Sequence, residues 1–142
     1  MIITQLSIKI KNQPGELSRV SDILGDEGVN IRALTAAVAH DDAYIHLVAD
    51  DPGKAEEVLK SKGYSPTCQE VIAVETPDHP GGLNAILRPL KAEGVNVVYL
   101  YPVIGKIRGN AVLIIGADPI ANAVSALEKH YITILGKEFY VL

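Results

Sequence analysis

The sequence predicts an α+β fold built from two tandem βαββαβ units, and three observations carry that expectation. The segment Asn12-Gln13-Pro14-Gly15-Glu16-Leu17 returns as Asp78-His79-Pro80-Gly81-Gly82-Leu83. The segment Gly28-Val29-Asn30-Ile31 returns as Gly94-Val95-Asn96-Val97, and both pairs are 66 positions apart. The hydrophobic period also switches between two and 3.6 in the same order in each half.

The elements of the first half follow in order. Leu6, Ile8 and Ile10 alternate with Ser7 and Lys9, as in a strand with one face more buried. Pro14-Gly15 breaks that strand. Leu17, Val20 and Leu24 then fall at helical spacing, and Gly28 ends the helix. A second strand is expected over 30–38, a polar turn at Ala39-His40-Asp41-Asp42, and a third strand over 43–49. Asp51 caps a second helix with Pro52 at its first position. Ala55, Val58 and Leu59 form its inner face, Gly63 ends it, and a last strand starts near Ser65.

The second half repeats this order. Leu83, Ile86, Leu87 and Leu90 line its first helix. Asp118-Pro119 opens its second, followed by Ile120, Val124 and Leu127. That Asp-Pro pair lies 67 positions after Asp51-Pro52, so one extra residue is expected in the second hairpin. Pro89 falls inside the first helix of this half, where a proline removes a hydrogen bond and predicts a bent or shortened helix. The order strand, helix, strand, strand, helix, strand is the ferredoxin-like arrangement, with antiparallel sheets carrying helices on one face.

The expected units are 1–68 and 69–142. The stretch 65–76 is too short for two separate strands, so one long strand either serves both units or is exchanged between them. Val112-Leu113-Ile114-Ile115 is continuously apolar, which predicts that the sheet face away from the helices is covered, by the other repeat or by a second chain. Units this small are marginal alone, which favours a shared core or dimerisation.

Composition narrows the function. The chain has 142 residues, 48% apolar and 21% charged, with a net charge of −4. An acidic balance argues against bulk electrostatic binding to nucleic acid. A single cysteine, Cys68, excludes an internal disulfide and suits a reducing cytoplasm. No segment reads as a signal peptide, and no apolar run reaches the roughly 18 residues of a membrane span. No phosphate loop or dinucleotide fingerprint occurs; ferredoxin-like folds also host enzymes, so a small enzyme stands as the lesser alternative to a non-catalytic chain with no cofactor. His40, His46, His79 and His130 are scattered, and His40-Asp41-Asp42 is better read as a solvated turn than as a metal site. The hairpin tips differ in sign, with Asp41 and Asp42 in the first and Lys106 and Arg108 in the second. Tyr99 and Tyr101 share a strand face and suit a pocket, a dimer interface or plain core.

The repeated pattern Asn/Asp-x-Pro-Gly-x-Leu, helix, Gly-Val-Asn-Ile/Val resembles the ACT domain. It covers both halves, and the layout is similar to stand-alone tandem ACT proteins with no attached catalytic domain. The segment 30–34 and the paired Asp-Pro steps strengthen the resemblance. It implies a regulatory protein of amino-acid metabolism that binds an amino acid or similar small ligand. It also implies a homodimer and a partner enzyme or transcription regulator that receives the signal. The ligand sites it implies lie between the loop after the first strand and the start of the second strand. In the first repeat these are Asn12, Gln13, Gly15, Glu16 and Leu17 with Asn30 and Ile31. In the second they are Asp78, His79, Gly81, Gly82 and Leu83 with Asn96 and Val97.

The residue types suit that chemistry. Backbone N–H groups at a glycine turn entering a helix take a carboxylate, and carbonyls with an Asn or Asp side chain take an ammonium. The same residues also serve simpler roles. Gly15 and Gly81 are turn formers, Asn12 and Asp78 are candidate helix caps, and Asn30 and Asn96 suit local bonding after a helix-ending glycine. Neutral Asn12 suits a ligand carboxylate better than Asp78, which favours the first site.

Overall fold

A computed structural model describes residues 2–142. The described chain forms two compact units, Thr4–Gln69 and Glu70–Leu142, the latter together with the short start of the chain before Thr4. The element order is β1 (Ile3–Lys11), α1 (Glu16–Asp26), β2 (Ile31–Ala39), β3 (Asp42–Ala49), α2 (Pro52–Ser61) and β4 (Thr67–Thr76), then α3 (Asn84–Ala92), β5 (Asn96–Pro102), β6 (Ala111–Asp118), α4 (Ile120–Lys129) and β7 (Ile134–Leu135). A short 3-10 turn, Lys137–Val141, follows.

In the first unit β3 lies between β2 and β1, antiparallel to both. Leu6, Ile8 and Ile10 of β1 pack with Ala43, Ile45 and Leu47 of β3, and Val20, Leu24, Ala55 and Leu59 of α1 and α2 join that core. Burying each of these leucine, isoleucine or valine side chains contributes about 1.5–3 kcal/mol, which outweighs the modest propensity of so short a helix. The opposite face of β1 carries Gln5, Ser7 and Lys9. The first residues of β4 reach this unit, where the Thr67 hydroxyl donates to the Ser7 carbonyl at 3.4 Å.

In the second unit β6 lies between β4 and β5, and β7 pairs β4. Ile72, Val74 and Ile115 meet Ile86, Leu90, Ala123, Ala126 and Leu127. Val112 and Ile114, on the face away from the helices, are also buried.

The helix α3 has 9 residues against 11 in α1. It is shorter at its start and not, as expected, at Pro89, which lies inside a helix that runs on to Ala92, the match of Asp26. The turn before α3 is closed by the bonds Gly82 N–H to His79 O and Asn84 N–H to Gly81 O.

The expected Asp-Pro correspondence is corrected. Ile10 pairs Ala43 in the first unit, and Thr76 pairs Ala111 in the second. The second hairpin is thus longer by two residues, not one. Asp51 does cap α2, accepting from the Lys54 N–H at 3.1 Å. Asp118, however, ends β6 opposite Asn96. Pro119 is extended, follows a cis bond, and precedes α4 without a side-chain cap. The two Asp-Pro pairs look alike in sequence but fall one residue out of structural register.

All four described helices end in the same Schellman motif. In α1, Gly28 N–H bonds Gly25 O and Val29 N–H bonds Leu24 O. The same pair of bonds recurs at Gly63 and Tyr64, at Gly94 and Val95, and at Tyr131 and Ile132. The motif needs a left-handed residue at its centre. Three helices supply glycine there, and α4 supplies Tyr131 at φ 58°. A residue with a Cβ costs roughly 1–2 kcal/mol in that conformation.

Candidate functional site

Each unit has a groove beside its Pro-Gly loop. In the first, Gly15 at φ 87° turns the chain from β1 into α1. A cavity of about 160 Å³ is lined there by Asn12, Gln13, Glu16 and Leu17, with Ala36 and Val38 of β2 facing them. The Asn12 N–H donates to Asp41 O at 2.8 Å, which ties the loop to the β2–β3 hairpin. Asn12 is not the helix cap. Gly15 occupies that position, and no side chain bonds the first turn. Glu16 places a negative charge there.

In the second unit the corresponding cavity is about 590 Å³. Asp78, His79 and Leu83 line it with Leu100 and Leu113 of the sheet. Gly81, at φ 80°, repeats the turn made by Gly15. Gly82 has a separate reason to be glycine, because a Cβ there would lie 2.1 Å from the Pro77 carbonyl oxygen. This tighter loop excludes any counterpart of Glu16. Lys106 Nζ stands 3.3 Å from Asp78 Oδ2, so the acidic loop residue is partnered by a cation from the β5–β6 hairpin. His79 Nδ1 lies 2.9 Å from Pro80 O. A carbonyl only accepts, so Nδ1 carries the proton and Nε2 is left as an acceptor in the neutral ring.

The other candidates lie beside these grooves rather than in their walls. Asn30 donates its N–H to Asp50 Oδ1 at 2.9 Å at the entry to β2, and Ile31 pairs Ala49. Asn96 and Val97 pair Asp118 and Ala117. Neither pair of residues borders a groove, and Gly15, Gly81 and Gly82 shape the turns without lining the cavities. The sequence reading missed Ala36, Val38, Leu100 and Leu113, although strand alternation places each on the helix side. It gave Lys106 no part in this site, because the hairpin tip was read by itself.

A polar cluster occupies the other face of the first sheet. Ser7 Oγ lies 2.6 Å from His46 Nδ1 and donates to Gln69 Oε1 at 2.8 Å. Gln5 Nε2 donates to the same Gln69 oxygen at 2.8 Å. Partial burial lowers the His46 pKa below its ordinary value of 6.5. Cys68 is exposed, and its thiol donates to the Glu56 carboxylate. Desolvation and that bond raise its pKa, which makes it a poor nucleophile. Tyr101 is buried, which pushes its phenol pKa up, and the Tyr99 ring lies where a Cβ on Gly116 would stand. Among the described residues, no three His, Cys, Asp or Glu side chains gather as a metal site. No helix there is long and apolar enough to cross a membrane.

Comparison with known proteins agrees with this architecture. The ACT domain pair family matches residues 1–137. A crystal structure of a protein from Bacteroides thetaiotaomicron superposes with a TM-score of 0.92 at 29% identity, covering 100% of this chain and 98% of that one. The regulatory subunit of aspartate kinase from Thermus thermophilus gives 0.66 at 15% identity, covering 92% and 97%. The corresponding subunit from Thermus flavus gives 0.60 at 15%, covering 92% and 95%. At that identity the likeness to the two kinase subunits is one of fold. No curated sequence matches the chain. With the repeated βαββαβ order and a family match over nearly its whole length, this chain belongs to the ACT domain pair family.

Proposed function

We propose that the chain is a non-catalytic, cytoplasmic sensor of an amino acid, and that it acts as a homodimer on a partner enzyme. Its two ACT units are taken as 1–68 and 69–142. The observation that carries the reading is the pair of corresponding grooves, each walled by the Pro-Gly loop on one side and by strand residues on the other.

The second groove suits the ligand better, which reverses the preference given by Asn12 alone. It is the larger of the two, and its leucines offer an apolar wall for a side chain. Lys106 beside Asp78 supplies the cation that a ligand carboxylate needs, while Asp78 and the His79 Nε2 accept from an ammonium. In the first groove Glu16 opposes a carboxylate. The fold shared with kinase regulatory subunits supports a partner enzyme as receiver of the signal.

Calorimetric titration of the full chain with each of the twenty amino acids tests this. One or a few related amino acids are expected to bind tighter than millimolar. Their melting shift is expected to follow native-state linkage, about 2.7 kcal/mol at a hundredfold excess over Kd. Lys106→Ala is expected to weaken binding about tenfold, as for loss of a charge-assisted bond. Glu16→Ala is expected to leave it unchanged. Twenty dissociation constants all weaker than millimolar would sink the sensor reading, and equal loss in Glu16→Ala and Lys106→Ala would sink the choice of groove.

A further inference from the structure

A second cavity of the C-terminal unit, of about 300 Å³, adjoins the Pro-Gly groove just described across Thr76 and Pro77. Glu75, Asn110, Tyr131 and Thr133 border it, with Ala85 and Ile86 of α3. The two repeats show what this place is built to hold.

In the first repeat the helix side of the corresponding place is occupied by an arginine of the chain itself, while Lys9 and Ser65, the equivalents of Glu75 and Thr133, line a smaller cavity of about 220 Å³. Arg19, on the first turns of α1, lies with its guanidinium 5.5 Å from the centre of the Tyr64 ring. Lys9 on β1 pairs with Asp42 at the hairpin, Nζ to Oδ2 3.8 Å. In the second repeat the helix register carries Arg19 onto Ala85, as the equivalent buried pairs Val20 and Ile86, Leu24 and Leu90 show. The internal guanidinium is gone, and space opens. Lys9 and Asp42 correspond to Glu75 and Asn110, where Asn110 Nδ2 donates to Glu75 Oε2 at 3.1 Å. The strand residue has thus changed from cation to anion, and its hairpin partner from anion to neutral amide.

The aromatic ring has moved by one residue. Tyr64 corresponds to Ile132, and the ring now sits at Tyr131, the left-handed position that is glycine in the other three helices. Tyr131 is 95% exposed, so its ring gains almost no burial in return for that conformation. Neither packing nor the motif explains a tyrosine here.

We infer that this cavity binds an organic cation, a guanidinium or ammonium group, between the Tyr131 ring and the Glu75 carboxylate. The ring face attracts the cation, the carboxylate accepts its N–H groups, and the Thr133 hydroxyl adds an acceptor. The group takes the place that Arg19 fills in the first repeat. It belongs either to a free small molecule or to an arginine or lysine side chain of a partner protein.

The test titrates the full chain with agmatine and with acetyl-arginine amide. Neither has a free carboxylate for Lys106, and Asp78→Asn, which removes the groove's acceptor for an ammonium, should leave binding here unchanged. Saturable one-to-one binding is expected. Glu75→Gln and Tyr131→Gly should each weaken it about tenfold or more. Tyr131→Gly restores the glycine of the other three helices, so the fold should be retained, and a melting curve checks that. Ala85→Arg should abolish binding by supplying the internal guanidinium. Tighter binding of agmatine points to a free cation, and tighter binding of acetyl-arginine amide to a partner's side chain. The inference is overturned if neither probe saturates at millimolar concentration, or if binding survives all three cavity substitutions.

Discussion

The two repeats share a backbone plan and differ in what they do with it. On the helix side their cores are interchangeable in kind, with Val20 and Leu24 matched by Ile86 and Leu90. On the other sheet face they part. Gln5, Ser7 and His46 of the first repeat correspond to Val71, Ala73 and Ile114 of the second, so a hydrogen-bonded polar cluster stands where its twin has buried aliphatics. The loops diverge too, with a half-buried glutamate at Glu16 and a tight glycine turn at Gly82. Duplication preserved the positions that define the core and left faces, loops and helix ends to change. Function is therefore best sought where the copies disagree.

The largest expected effect separates the loops. Gly82→Ala drives a Cβ against the Pro77 carbonyl and should destabilise by about 1–3 kcal/mol, as overpacking does. Glu16→Ala, at the matching position of the first repeat, should change stability by less than about 0.5 kcal/mol, as for an ordinary surface site. Urea unfolding of both variants measures the contrast, and equal losses would mean that the loops are not built differently.

A smaller effect comes from exchanging the helix ends. Tyr131→Gly should stabilise by roughly 1 kcal/mol as the left-handed strain is released, and Gly63→Tyr should destabilise by a similar amount. Thermal melting of the two variants checks the signs. Destabilisation by Tyr131→Gly would show that the ring is held by contacts that compensate its conformation.

The smallest effect is one of pH. The folded His46 has a pKa below 6.5 because burial disfavours its charged form. The unfolded chain therefore takes up the proton first. The contribution of His46 is fully present above pH 6.5 and is lost as pH falls from there through the lower folded value. Hydrogen exchange should show acid weakening β1 and β3, whereas β6 and residues 72–76 of β4, with Ile114 at the matching place, should not share this response. His46→Asn should remove the difference between the sheets, and its persistence in that variant would assign it to another group.

Much of this was legible in the chain. Alternation in β1, the i, i+4 spacing of Val20 and Leu24 and the recurring glycines depend only on local geometry, and sequence shows local geometry directly. The grooves were legible in part. Asn12, Gln13, Asp78 and His79 lie on their walls as read, whereas Asn30 and Asn96 stand beside them because strand pairing turns those residues to Asp50 and Asp118. The Asp-Pro register was misread because capping and strand-ending aspartates look identical until the β-ladder sets their places.

The sequence by itself determined the repeat, the order of elements, the family resemblance and the inward faces, since all follow from spacing along one chain. Only the tertiary structure decided that Lys106 meets Asp78, that Gly82 lies against Pro77, and that Tyr131 stands unsupported where three helices use glycine. Those are a distance between residues far apart in sequence, a close approach within one folded loop, and a backbone angle set by a shared motif. None of these is written in the identity of a residue and its neighbours.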